Sequence, residues 1–218
     1  IEGVWNPWLI SIDPPPLEGF RYYHTSDFGL IRNERFYASV KMYSRWMQDY
    51  EYLTGKGRFG WNLSNGLTYV SLGDGELWAG PGRAPIRALD WDHLPGTTSR
   101  VGANPLNPGG DIHTTGGSLN FGRGDFSGGA GDERGGMLGF TLIPTHGQFV
   151  ARKAYLLFDE GLVALGGGIT STADRPEPVH TTVAQWAART EDAPLHLSGG
   201  RTLTSWTGAQ ALENIRWA

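Results

Sequence analysis

The stretch Ala88–Arg100, ALDWDHLPGTTSR, sets Asp90 and Asp92 around Trp91 and follows them with His93 and a Pro-Gly turn. Side chains at i and i+2 of an extended segment point the same way, so both carboxylates can reach one hard cation. Aspartate is also a turn residue, because its carboxylate bonds nearby backbone. Two readings therefore stand for Asp90 and Asp92: a structural calcium site, or a plain turn with hydrogen-bonded aspartates. A second group lies upstream. Glu51 sits between Tyr50 and Tyr52, with Trp46 and Trp61 close in sequence and a Gly-rich turn following. Aromatic faces beside a carboxylate suit sugar rings, whose C–H faces pack on aromatics. The other reading makes these aromatics core and sheet surface.

Other chemistry is poorly supported. The six histidines (His24, His93, His113, His146, His180 and His196) include no two within four residues of each other, so no local pair of metal ligands is written. There is no Gly-x-Ser-x-Gly for a nucleophilic serine. The run LGGGIT, Leu165–Thr170, lacks the Lys-Ser/Thr ending of a phosphate loop and reads as a bend in a sheet. The tripeptide Arg123–Asp125, RGD, is too short to carry an adhesion function.

The elements that must position these residues are strands. Of 218 residues, 33 are Gly and 26 are Trp, Tyr or Phe, while only 18% are charged. That balance favours strands and turns over helices. RFYASVKMYS (Arg35–Ser44) puts Phe36, Ala38, Val40 and Met42 on one face, the alternation of a half-buried strand. GLTYVSLGDGELW reads as two strands about Gly-Asp-Gly. The runs MLGFTLIP, QFVARKAYLLFD, GLVALGGGIT, VHTTVAQW and RTLTSW are short and bounded by turn residues. Residues 101–136 are saturated with Gly, Asn, Asp and Pro and read as a long irregular loop, with a short strand near Ser118–Phe121. GAQALENIRWA alone has a helical pattern. The Pro14–Pro16 run makes residues 1–23 an arm or linker. The expected fold is all-β: a large antiparallel sandwich over residues 24–218, incomplete at its C-terminal end.

Net charge is −4, which gives no general attraction to nucleic acid or membrane, and no run of about 18 apolar residues is present. The absence of cysteine excludes disulfides and thiolate metal sites without fixing the compartment. The start IEGVWNPWLI does not read as a signal peptide.

Several motifs resemble one family in its own order. RNERFYASVKMYSRWMQDYEYLTGKGRFGWNLSNGLTYV, LDWDHLPGTT, ARKAYLLFDEGLVALGGGIT and VHTTVAQW are similar to the central β-sandwich of polysaccharide lyase family 8, the hyaluronan, chondroitin and xanthan lyases, from about His24 to Trp186. The resemblance implies a secreted enzyme in which an α/α toroid carries the main proton-transfer residues and cleaves acidic polysaccharide by β-elimination next to a uronic acid. No toroid pattern is present here, so the toroid and the remaining sandwich strands become expected partners, in the same or another chain. The resemblance places Glu51 in the cleft as a supporting catalytic residue. It puts Thr54 where the family often has a substrate-contacting Asn; Trp46 and Trp61 are candidate sugar contacts from their aromatic faces close to Glu51. No cofactor is required for the chemistry. Asp90 and Asp92 resemble part of a calcium site found in chondroitin-type members; the further acidic ligand is not matched, since Val101 and Gly102 follow Arg100. A non-catalytic carbohydrate-binding or structural sandwich module is the rival reading.

Overall fold

The computed structural model describes residues 17–50, 60–71, 89–100, 121–145, 148–174, 178–185, 195–196 and 202–203. Two four-stranded antiparallel meanders form its body. The first contains β1 (Gly19–Tyr23), β2 (Phe28–Arg32), β3 (Tyr37–Lys41) and β4 (Leu67–Ser71), in that order. Between the two meanders in the chain lies the short β5 (Thr98–Arg100). The second meander contains β6 (Ser127–Asp132), β7 (Gly135–Leu142), β8 (Phe149–Phe158) and β9 (Gly161–Ser171). β10 (Val179–Thr181) pairs antiparallel with β5, Val179 opposite Arg100. The chain divides into two compact units, residues 1–185 and 186–218. In the second, β11 (Leu195–His196) pairs with β12 (Thr202–Leu203).

Alternation explains why the two meanders face one another. Along β8, Phe149, Ala151, Lys153, Tyr155 and Leu157 are buried, while Arg152, Leu156 and Phe158 are exposed. Along β3, Ala38 and Val40 are buried on one face, which Phe36 and Met42 continue on either side, and Ser39 between them is buried on the other. Phe20, Ile31, Ala38 and Val40 of the first meander join Leu138, Phe140, Tyr155 and Leu157 of the second in one buried cluster. Each large apolar side chain removed from water contributes about 1.5–3 kcal/mol, enough for this seam to hold the two sheets together.

The sandwich begins at Gly19, within the stretch expected to be an arm. The Pro14–Pro16 argument applies only to the residues before β1, and Phe20 enters the core. The expected irregular loop over 101–136 is corrected at its end. Residues 127–132 form β6, which hairpins into β7 through Glu133 and Arg134, with Asp132 Oδ1 accepting the Arg134 N–H at 2.9 Å. Glycine is required there by close packing: a Cβ at Gly136 would stand 2.3 Å from the Phe20 ring. Arg123–Asp125 is laid along the same sheet, with the Arg123 N–H on the Ile143 carbonyl and the Gly124 carbonyl accepting from Arg45. LGGGIT lies in β9, beside an irregularity in the pairing with β8 between Val150 and Arg152. The expected strand after Gly-Asp-Gly, the strand near Ser118 and the helical GAQALENIRWA lie outside the described residues, apart from Phe121, which bridges Gln48.

Candidate functional site

Two segments that carry the chemistry-bearing residues are cross-braced at one end of the first meander. The turn 61–66 (WNLSNG) leads into β4 and is pinned to the end of β3 by the Gly66 N–H, which donates to the Lys41 carbonyl at 3.1 Å. The turn 90–97 (DWDHLPGT) packs beside it. Asn62 Nδ2 donates to the Trp91 carbonyl at 3.2 Å, the Thr98 N–H to the Asn65 carbonyl at 3.2 Å, and the Thr68 N–H to the Pro95 carbonyl at 2.9 Å. Gly96 takes a φ of +77°, and a Cβ there would press on Thr68 and on the Gly66 carbonyl, so the turn needs glycine.

Lys153 closes this brace from β8. Its ammonium donates to the Asn65 carbonyl at 3.2 Å and to the Gly96 carbonyl, one from each turn. The residue is 6% exposed. Burial pulls its pKa down from the usual lysine range to about 7. Sequence reasoning missed Lys153, although a signal was present: it occupies an inward position of an alternating strand, where a lysine is out of place. Gln185 was also missed. Its side chain accepts the Asp90 N–H at 2.7 Å and donates to the carbonyls of Asp90 and His93, at 3.0 and 2.7 Å.

The predicted aspartates occupy this turn. Asp90 Oδ1 accepts the Asp92 N–H at 3.0 Å, and Oδ2 sits 2.8 Å from His93 Nδ1. Both oxygens of Asp90 are thus engaged by the turn itself. Asp92 is half-buried. Burial, then the neighbouring Asp90 charge, raises its pKa above the ordinary carboxylate value, while a side-chain hydrogen bond from Trp61 acts the other way. Among the described residues no group of three or more His, Asp or Glu converges as a metal cage. The two aspartates fit the turn fully and a calcium ion only in part.

Of the predicted sugar contacts, Trp61 is 7% exposed and serves as a packed wall beside Asp92. Trp46 is 72% exposed, with the Arg45 guanidinium 4.4 Å from its ring centroid, which offers an open aromatic platform next to a positive charge. Its backbone is held by Ser44, whose hydroxyl accepts the Trp46 N–H at 3.4 Å and donates to the buried Asp27 at 3.0 Å. Asp49 is buried too. Burial raises its carboxyl pKa well above the usual range, against hydrogen bonds from Ser64 and the charge of Lys41. Glu51 and Thr54 lie outside the described residues.

The comparisons agree with the fold. The model of the polysaccharide lyase family 8 super-sandwich domain matches residues 18–218. A polysaccharide lyase 8 family protein, HylA, from Enterococcus faecalis is 27% identical over 168 residues, 73% of this chain and 11% of the relative. A chondroitinase AC lyase, solved in oligosaccharide complexes, is 29% identical with a TM-score of 0.62, over 80% of this chain and 23% of that one. A Paenibacillus xanthan lyase is 25% identical with a TM-score of 0.57, over 72% of this chain and 14% of that one. This chain therefore spans between a tenth and a quarter of the length of these relatives. With the super-sandwich model matching from the start of β1 through the second compact unit, the chain belongs to polysaccharide lyase family 8.

Proposed function

We propose that this chain is the β-sandwich portion of a secreted enzyme that cleaves uronic-acid-containing polysaccharide of the hyaluronan, chondroitin or xanthan type by β-elimination. The observation that carries the reading is the super-sandwich match over residues 18–218, supported by relatives that are lyases, one of them solved in oligosaccharide complexes. In this reading an α/α toroid supplies the proton-transfer groups and the sandwich supplies one wall of the cleft. Trp46 and Arg45 present a ring face and a cation to the polymer. Glu51 and Thr54 follow in the segment after Tyr50, where a carboxylate orients a catalytic base or a sugar hydroxyl. β-Elimination leaves an unsaturated uronate, whose absorbance is the assay. The isolated 218-residue chain is expected to give no product on hyaluronan, chondroitin sulfate or xanthan, and the intact enzyme is expected to give product. In the intact enzyme, Glu51→Gln should lower kcat/KM by about 10²–10⁴-fold, with stability changed by less than about 1 kcal/mol. Turnover by the isolated chain would move the chemistry into the sandwich. An unimpaired Glu51→Gln enzyme would remove Glu51 from the mechanism.

No cofactor takes part in this chemistry. A calcium ion on Asp90 and Asp92 would compete with His93 for Asp90 Oδ2. The expected melting temperature is the same in chelator and in excess calcium. A calcium-dependent rise would assign the pair to a cation by linkage.

A further inference from the structure

At the opposite end of β3 from the braced turns lies an open groove of about 430 Å³, within the range of small-ligand sites. Its residues fall in register. Arg32 stands opposite Tyr37 and Tyr37 opposite Ser71, a row across β2, β3 and β4 on one face of the sheet. Tyr69 lies diagonal to Tyr37, the two rings edge to face with centroids 5.9 Å apart. The wall of the groove is the β2–β3 turn, and it is fixed in advance. Asn33 Oδ1 accepts the N–H groups of Arg35 and Phe36 at 2.8 and 3.0 Å. Asn33 Nδ2 donates at 3.0 Å to the carbonyl of Asp159, in the β8–β9 turn, and Phe36 is buried. A wall built this way needs little ordering when a ligand arrives.

The groove holds two guanidinium groups, Arg32 and Arg35, and one carboxylate, Glu34. All three are exposed, and the only ion pair among the described residues is Asp90–His93. Guanidinium groups bind carboxylate or sulfate through paired N–H donors. Tyrosine rings accept the C–H face of a sugar, and their hydroxyls, Ser71 and Glu34 bond its hydroxyl groups. A bare phosphate would gain from the arginines and nothing from the rings. We propose that this groove is a second binding subsite, for an anionic sugar unit, apart from the candidate cleft. The groove lies at the Tyr37 end of β3 and the braced turns at its Lys41 end, about 13 Å along the strand, so one polymer that follows the strand can engage both ends and gain by effective concentration. That the polymer held here is also the one cleaved rests on the proposed lyase function; the subsite itself does not.

The test is an NMR titration of the full 218-residue chain with hexasaccharides of hyaluronan and of chondroitin sulfate, and with maltohexaose as the neutral control. Both acidic oligosaccharides should shift signals of Arg32, Arg35, Tyr37 and Tyr69, and maltohexaose should not. The Arg32→Gln/Arg35→Gln double variant, altered only at exposed positions, should bind at least about tenfold more weakly. Stronger shifts with chondroitin sulfate would identify sulfate as the main anchor, and equal shifts the uronate carboxylate. Signals that move only around Trp46, Trp61 and Asp92, unchanged affinity in the double variant, or equal binding of maltohexaose would each overturn the proposal. The readout is independent of the uronate assay, so the subsite and the lyase reading can fail separately.

Discussion

Lys153 is a cation inside a sandwich core, held by two carbonyls with no carboxylate beside it among the described residues. The consequence for pH follows from its folded pKa of about 7 against an ordinary 10.5. Between those values the unfolded chain holds a proton that the folded chain lacks, so folding stability rises with pH across that window. Below about 7 both states are charged and the full cost of burying the ammonium is present. The shift corresponds to a few kcal/mol in all, to order of magnitude. Melting curves of the wild type and of Lys153→Met, taken between pH 6.5 and 9.5, should converge or cross as pH rises, with the wild type gaining on the variant. Parallel curves would show that the lysine does not titrate there. Asp49 acts in the opposite sense at lower pH. Its raised pKa contributes stability below the usual carboxylate value that is lost as pH rises, and because wild type and variant both carry Asp49 the contribution cancels in their comparison.

At the scale of elements, the two turns 61–66 and 90–97 form one unit, because each supplies a carbonyl to Lys153 and the Asn62 side chain donates across them to the Trp91 carbonyl. Gly96→Ala tests that unit. The added Cβ must take a left-handed backbone and would sit 2.7 Å from the Gly66 carbonyl. The expected loss is about 2–4 kcal/mol in urea denaturation; a loss under about 1 kcal/mol would show that the turns separate freely. Strand alternation was legible from the sequence where the side chains carry it, as in Phe36, Ala38, Val40 and Met42. It was not legible in β6, where glycines erase the period and resemble a loop. Their use appears only when Phe20, more than a hundred residues earlier, is seen lying where a Cβ on Gly131 would stand. Asp90 and Asp92 show the same limit at the site. Their spacing fits a cation and a turn equally, and the contact of Asp90 with His93 at 2.8 Å, three residues on, cannot be read from that spacing.

Taken as a whole, the described part of the molecule is two local meanders tied by long-range contacts. Each hairpin of β6–β9 closes over a few residues, whereas the bonds of Lys153 join positions 88 and 57 residues apart. The family resemblance in the sequence rests on stretches such as DWDHLPGTT and KAYLLFDEGLVALGGGI, which contain the partners in that tie: Gly96 in one, Lys153 and Tyr155 in the other. The sandwich could be read from strand pattern. The tie could not, because nothing local in either motif shows that they meet.

The tie also gives the fold a weak point with a defined boundary. When the Lys153 side chain leaves, both turns lose an anchor together while the β7–β8 ladder stays intact, so the amides of Thr68 and Thr98 should exchange with solvent through one shared sub-global opening. Native-state hydrogen exchange should give these two amides a common protection below that of Phe140 and Tyr155. Equal protection at all four would mean that the turns and the sheet open only by global unfolding.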